Sequence, residues 1–208
     1  NGITMQKQEG DKKTPAGVYR FTMAFGLKAN PGTILPYHQI VDGDYYVDDG
    51  NSQYYNKLAN TKQVQKDWNS AEDLMAQAPQ YNYGLVLDYN PECTPGKGSA
   101  IFLHCPKSWN NTGTSGCISI PEEDMKQVVC QVDAGTKIVV VQDEADRNLQ
   151  MRFFCICFAR TPGSVCRIAA VSRSVWVSAS STFFVFSRAS ANWLFLGASG
   201  ASYAHLTA

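Results

Sequence analysis

The sequence predicts a mainly β domain with small helical insertions, followed by a poorly structured C-terminal tail. Three observations carry this. Short apolar runs of strand length, rich in Val, Ile, Tyr and Phe, recur along the first two thirds of the chain. Turn chemistry separates them: Gly10-Asp11, Asn30-Pro31-Gly32, Asp48-Asp49-Gly50 and Pro95-Gly96-Lys97-Gly98. Composition then changes abruptly. Every Asp and Glu lies at or before Asp146, and the last Lys is Lys137.

The expected strands are Val18–Met23, Gly84–Leu87, Ala100–Leu103 and Lys137–Val141. Two stretches read as helix. One starts near Asn69-Ser70 and runs to Gln77, with Ser70 and Asp73 in capping-box spacing. The other follows Ser119-Ile120-Pro121-Glu122. There Ser119 caps, Pro121 occupies the first turn, and Met125, Val128, Val129 and Val132 form one apolar face.

The 208 residues suffice for one domain with a sizeable core plus an appendage, here 1–146 and 147–208. Net charge is zero, so the basic field of a nucleic-acid binder is absent. Beyond Gln150 the only fixed charges are Arg152, Arg160, Arg167, Arg173 and Arg188. An evolved second domain normally carries both charge signs, so the tail reads as aberrant or disordered. No apolar run approaches the ~18 residues of a membrane span. The chain begins at Asn1, without an initiator Met or signal peptide, and reads as a piece truncated upstream.

Seven cysteines is an odd number and no CxxC pair occurs, which fits neither a disulfide framework nor a zinc knuckle. The sharpest chemistry lies in Ile101-Phe102-Leu103-His104-Cys105 and Gly113-Thr114-Ser115-Gly116-Cys117. A strand delivers His104 at its end, and Ser-Gly-Cys sits before a helix start. Thiolate is the reactive form of cysteine, stabilised by an imidazole or a helix N-terminus. Both are on offer to Cys117. Gly116 lets the backbone approach closely, and the Gly116 and Cys117 N–H groups are oxyanion donors. His104 handles the proton, with the Cys105 carbonyl as its orienting acceptor. Bland readings stand beside this one: a buried apolar cysteine, a structural histidine at a strand end, or a Cys93/His104/Cys105/Cys117 metal cluster. His38 reads as a surface or turn residue, and Asp48-Asp49 with Asn51 as a solvated turn without calcium-loop spacing.

Two blocks resemble the L,D-transpeptidase catalytic domain, the YkuD-like or ErfK/YbiS family. Gly10-Asp11-Lys12-Lys13-Thr14-Pro15-Ala16-Gly17-Val18-Tyr19 is similar to the family's GDxxTPxG segment. Phe102-Leu103-His104 with Ser115-Gly116-Cys117 is similar to its histidine and nucleophile segment. The resemblance covers Asn1 to Val141. It implies a β-sandwich or barrel-like fold and acyl transfer on peptidoglycan stem peptides through a thioacyl-enzyme at Cys117. It further implies inhibition by carbapenem-type β-lactams, no metal or organic cofactor, no required protein partner, and an extracytoplasmic site of action. Ser115, Ser119 and Trp109 are the candidate substrate contacts. Many family members carry His where Ser115 stands and Arg where Ser119 stands, which leaves His104 as the only plausible imidazole. An L,D-carboxypeptidase and a non-catalytic peptidoglycan-binding module are the rival readings.

Overall fold

The computed structural model describes residues 2–108 and 113–141 and the strand segments 174–178, 182–185 and 194–197. In chain order the strands are β1 (Ile3–Thr4), β2 (Thr14–Pro15), β3 (Gly17–Gly26), β4 (Tyr37–Gln39), β5 (Asp44–Val47), β6 (Leu58–Asn60) and β7 (Ala71–Asp73). They continue with β8 (Gly84–Leu87), β9 (Phe102–His104), β10 (Ile118–Ser119), β11 (Lys137–Val141), β12 (Ser174–Ser178), β13 (Thr182–Val185) and β14 (Leu194–Gly197). One α-helix, α1 (Glu122–Gln131), is described with them. The fold class is therefore mainly β.

A large sheet runs β10-β9-β8-β3-β11-β12-β13-β14, with β4 also paired to β3. Its centre is antiparallel, β8 against both β3 and β9, whereas β9 and β10 run parallel. Side chains alternate across β9. Leu103 points to a core shared with Leu85, Leu87, Ile118, Met125 and Val128. Phe102 points to the opposite core, with Phe25, Tyr46, Leu74 and Tyr81. α1 covers the first face with its buried Met125, Val128 and Val129. A small sheet, β6-β5-β7, contributes Tyr46 to the second.

Two expected strands, Gly84–Leu87 and Lys137–Val141, appear with those bounds. Three other expectations need correction. The strand expected at Ala100 begins at Phe102 and ends on His104. Ala100 itself sits at φ +52°, in the left-handed region, where its N–H donates to Asn56 Oδ1 at 3.0 Å. The helix expected over 69–77 is β7 followed by a 3-10 turn, Met75–Gln77. Pairing with β5, which sets Glu72 opposite Tyr46, overrides local helix preference. Asp73 still accepts hydrogen bonds, but from the Met75 and Ala76 N–H groups of the short turn. Finally, Ser119 does not cap α1. It belongs to β10, and Pro121 occupies the cap position without a side-chain bond.

In the tail, β12 pairs with β11 and carries β13 and β14 outward, at the opposite end of the sheet from β10. The reading of 147–208 as an aberrant segment falls mostly on residues outside the described ones. Among the described residues no helix is long and apolar enough to cross a membrane.

Candidate active site

Strand β9 ends on His104, and β10, beside it in the sheet, begins one residue after Cys117. Parallel pairing of β9 with β10 sets Ile118 opposite Leu103 and Ser119 opposite His104. The nucleophile candidate and the imidazole are thus delivered to one edge of the sheet. Both line a cavity of about 720 Å³, together with Lys7, Glu9, Asp48, Glu72, Gln80, Tyr81, Ser99, Ala100, Lys107, Thr114 and Ser115.

His104 is 2% exposed. Its Nδ1 lies 2.6 Å from the Cys105 carbonyl oxygen. A carbonyl only accepts, so Nδ1 carries the proton and Nε2 presents a lone pair. Nε2 is buried and has no hydrogen-bond partner among the described residues. Tyr81 stands edge-on to the imidazole, ring centroids 5.4 Å apart. Burial pulls the His104 pKa down to about 4, against a smaller upward effect of the Cys105 carbonyl. The ring is neutral at neutral pH.

Cys117 is partly exposed. Its thiol donates to the Ala100 carbonyl at 3.1 Å and accepts the Phe102 N–H at 3.4 Å. It makes no hydrogen bond to His104 Nε2. Burial pushes the thiol pKa up to about 12, and the charge of Glu72 adds to this, opposed by the Phe102 N–H and by Lys7. The sequence pointed to a helix start stabilising a thiolate. In the fold β10 and Ile120 separate Cys117 from α1, whose first turn carries Glu122, Glu123 and Asp124. The resting site is a neutral thiol beside a neutral imidazole.

The loop that carries Cys117 is held from two directions. Its carbonyl accepts from Thr114 Oγ1 at 2.6 Å and, more weakly, from Thr14 Oγ1 at 3.5 Å. Gly116 sits at φ +126°, and a Cβ there would lie 2.9 Å from the Lys13 carbonyl oxygen, so both conformation and space exclude a side chain. Asp11 folds the Lys13 segment into place. It pairs with Lys7 and accepts the N–H groups of Gln8 and Lys13 at 3.0 and 2.9 Å. The two sequence blocks, about a hundred residues apart, therefore meet beneath the cysteine. The Gly116 N–H, expected to face an oxyanion, points at Thr114 Oγ1, 3.4 Å away.

The remaining candidates divide. Ser115 is exposed and lines the cavity. Ser119 is half-buried on β10 and is not among the cavity-lining residues. Trp109 lies outside the described residues. Cys105 faces the α1-side core with its Sγ toward the Tyr83 carbonyl, and Cys93 Sγ bonds Pro91 O in a turn. Among the described residues no group of three or more His, Cys, Asp or Glu is placed to hold a metal. His38 is half-buried on β4 and paired with Asp44 at 2.7 Å.

Sequence reasoning missed Asp48, Glu72, Tyr81 and Ala100. Asp48 read as part of a solvated turn, yet its Oδ1 is buried without a hydrogen-bond partner among the described residues. The sequence pattern puts Glu72 in a helical stretch; on β7 it instead lines the cavity, where Tyr81 OH donates to its Oε2 at 3.4 Å. Burial and the charge of Asp48 raise its carboxyl above the usual glutamate value. Only the aromatic and acidic residue types offered a signal, and neither type is specific.

Residues 2–140 match the model of one protein family, YkuD: L,D-transpeptidase catalytic domain. No match was found among curated proteins, and none among solved structures.

Proposed function

The chain belongs to the YkuD family of L,D-transpeptidase catalytic domains, and on that premise we propose that Cys117 is the nucleophile of an acyl transfer on peptidoglycan stem peptides. The observation that carries this is the tautomer of His104. Its Nδ1–H is committed to the Cys105 carbonyl, so a bare Nε2 is left in the cavity that holds the Cys117 thiol.

The steps follow from these groups. On substrate binding the thiol leaves the Ala100 carbonyl and turns toward His104 Nε2. Sulfur attacks the carbonyl carbon on the L-centre side of an L,D-peptide bond as Nε2 takes the thiol proton. The C–N bond breaks, and the terminal D-amino acid leaves with that proton on its amine. A thioacyl-enzyme remains. An amine of a second stem resolves it to a cross-link, while water in its place gives an L,D-carboxypeptidase. Ser115 borders the path of the stem. The reading implies a site of action outside the cell membrane, where stem peptides are.

Intact-mass measurement on the full chain incubated with tetrapeptide stems tests this. The expected result is a thioacyl adduct that Cys117→Ala abolishes and that Cys93→Ala and Cys130→Ala retain. A carbapenem is expected to mark the same residue. Equal loss from all three variants points instead to a structural set of thiols. Absence of any adduct on the wild-type chain favours a peptidoglycan-binding module, the reading that the missing histidine and arginine at Ser115 and Ser119 support.

A further inference from the structure

The acyl transfer above leaves one side of the cavity unused. β5 ends at Val47 and delivers Asp48, while β7 sets Glu72 opposite Tyr46. Both acids line the cavity with Cys117 and His104. Of the other charged groups there, Lys7 and Glu9 are committed, whereas Lys12 and Lys107 line the cavity without an ion pair among the described residues. Lys7 is paired with Asp11, and Glu9 Oε2 accepts from Tyr55 OH at 2.5 Å and Ser99 Oγ at 2.8 Å. Among the described residues neither Asp48 nor Glu72 enters an ion pair. Among the described residues Asp48 Oδ1 is buried and unsatisfied, and the side chain of Glu72 has one hydrogen bond, the long one from Tyr81. A buried carboxyl without a partner costs free energy, and a ligand that supplies the partner recovers it. Two neighbouring carboxyls call for a cation with several N–H donors. An ammonium group has that chemistry.

Transpeptidation needs such a ligand. The acceptor is an amine, and at neutral pH an alkyl amine is mostly ammonium, with no lone pair to attack a thioester. We propose that Glu72, assisted by Asp48, forms the acceptor subsite of the acyl transfer: it binds the incoming ammonium and takes its first proton. The inference rests on the thioacyl reading of Cys117. In the step itself, the ammonium gives one proton to the Glu72 carboxylate, leaving a neutral amine and a carboxylic acid. The amine nitrogen attacks the thioester carbon, the C–S bond breaks, and the second proton passes through His104 Nε2 to the Cys117 sulfur. An amide and a thiol result, and Glu72 releases its proton to solvent. Burial and the charge of Asp48 raise the Glu72 carboxyl, which makes it a better base toward an ammonium than an exposed glutamate. Its charge also acts on the Cys117 thiol, so carboxyl and sulfur share one electrostatic environment.

The test uses the full chain with a stem tetrapeptide as acyl donor and glycinamide as acceptor. The amide product and the hydrolysed product are quantified together, and their ratio is the readout. Glu72→Gln is expected to lower the amide-to-acid ratio by about a hundredfold, the scale of a lost general base. Glu72→Asp restores part of it, and Asp48→Asn moves it in the same direction by less. An unchanged ratio in Glu72→Gln, with thioacyl-enzyme still forming, overturns the proposal while leaving the nucleophile reading intact. If Glu72→Gln does not fold, Asp48→Asn decides, and an unchanged ratio there overturns it equally. Failure of the wild-type chain to form thioacyl-enzyme overturns both.

Discussion

The cavity has two unlike walls. One, on β9 and the Cys117 loop, holds a thiol and an imidazole among Phe102, Tyr81 and backbone. The other, at the ends of β5 and β7, holds two carboxyls. Burial acts on both, with opposite consequences for basicity. It takes the proton off His104 and makes the ring a weak base. It keeps the proton on Cys117, and it makes Glu72 hold a proton more strongly than an exposed glutamate does. A weak base suffices where proton transfer accompanies attack by sulfur. An ammonium acceptor has to lose a proton before it can attack at all, and the group that burial strengthens as a base stands on that side.

The largest effect expected from this contrast is kinetic. With its pKa near 12 against an ordinary 9.0, Cys117 holds about a thousandfold less thiolate at neutral pH than an ordinary thiol. Iodoacetamide labelling of the free chain is expected to be slow by that order at pH 7, and to keep accelerating about tenfold per pH unit beyond pH 9. A labelling rate that levels off below pH 8 would show a preformed thiolate–imidazolium pair and erase the difference between the walls.

Next in size is a stability effect confined to the neutral wall. The folded-state pKa of His104 is near 4 and its ordinary value is 6.5. Between those values the unfolded chain binds a proton that the folded chain refuses. The contribution is therefore present above pH 6.5 and lost as pH falls toward 4, about 3 kcal/mol in total. Denaturant melts across this window check it. His104→Asn, whose amide N–H can still reach the Cys105 carbonyl, is expected to flatten the slope. An equal slope in the variant assigns the loss to other groups.

The neutral wall was the legible one, for a physical reason. Its two side chains lie thirteen residues apart in the sequence, beside strands whose apolar runs are visible in the text. β8 and β11 were equally visible because their runs are continuous and buried on both faces, and α1 because Met125, Val128 and Val129 keep helical period. The acidic wall has no local signature. Glu72 arrives through pairing of β7 with β5, a contact between distant segments that wins over a Ser70/Asp73 helix-start pattern. Ala100, whose carbonyl receives the resting thiol, adopts its left-handed conformation through the side chain of Asn56, forty-four residues earlier. No pattern within a short window encodes either fact. What the text does encode is Gly116, whose need for φ +126° is met by no other residue at comparable cost.

Tyr81 touches both walls, and the smallest expected effect tests whether it couples them. It is 1% exposed, sets its ring edge against His104 and Phe102, and donates its hydroxyl to Glu72. Tyr81→Phe keeps the ring contacts and removes only a bond 3.4 Å long, so the loss of stability is expected to stay below about 1 kcal/mol. The hydroxyl holds the Glu72 carboxyl down, against burial and the charge of Asp48. Its removal raises that carboxyl further, and the pH at which amine capture of the thioacyl-enzyme sets in moves upward. Acylation of Cys117, which draws on the ring and not the hydroxyl, keeps its pH profile. A double-mutant cycle of Tyr81→Phe with Glu72→Gln, scored on the amide-to-acid ratio, separates the contributions. If the ring merely packs, the two changes add. If the hydroxyl tunes the acceptor base, Tyr81→Phe has no further effect once Glu72 is Gln. A shift of both pH profiles by Tyr81→Phe alone would mean that the walls titrate as one unit, and the division of labour between His104 and Glu72 would fail.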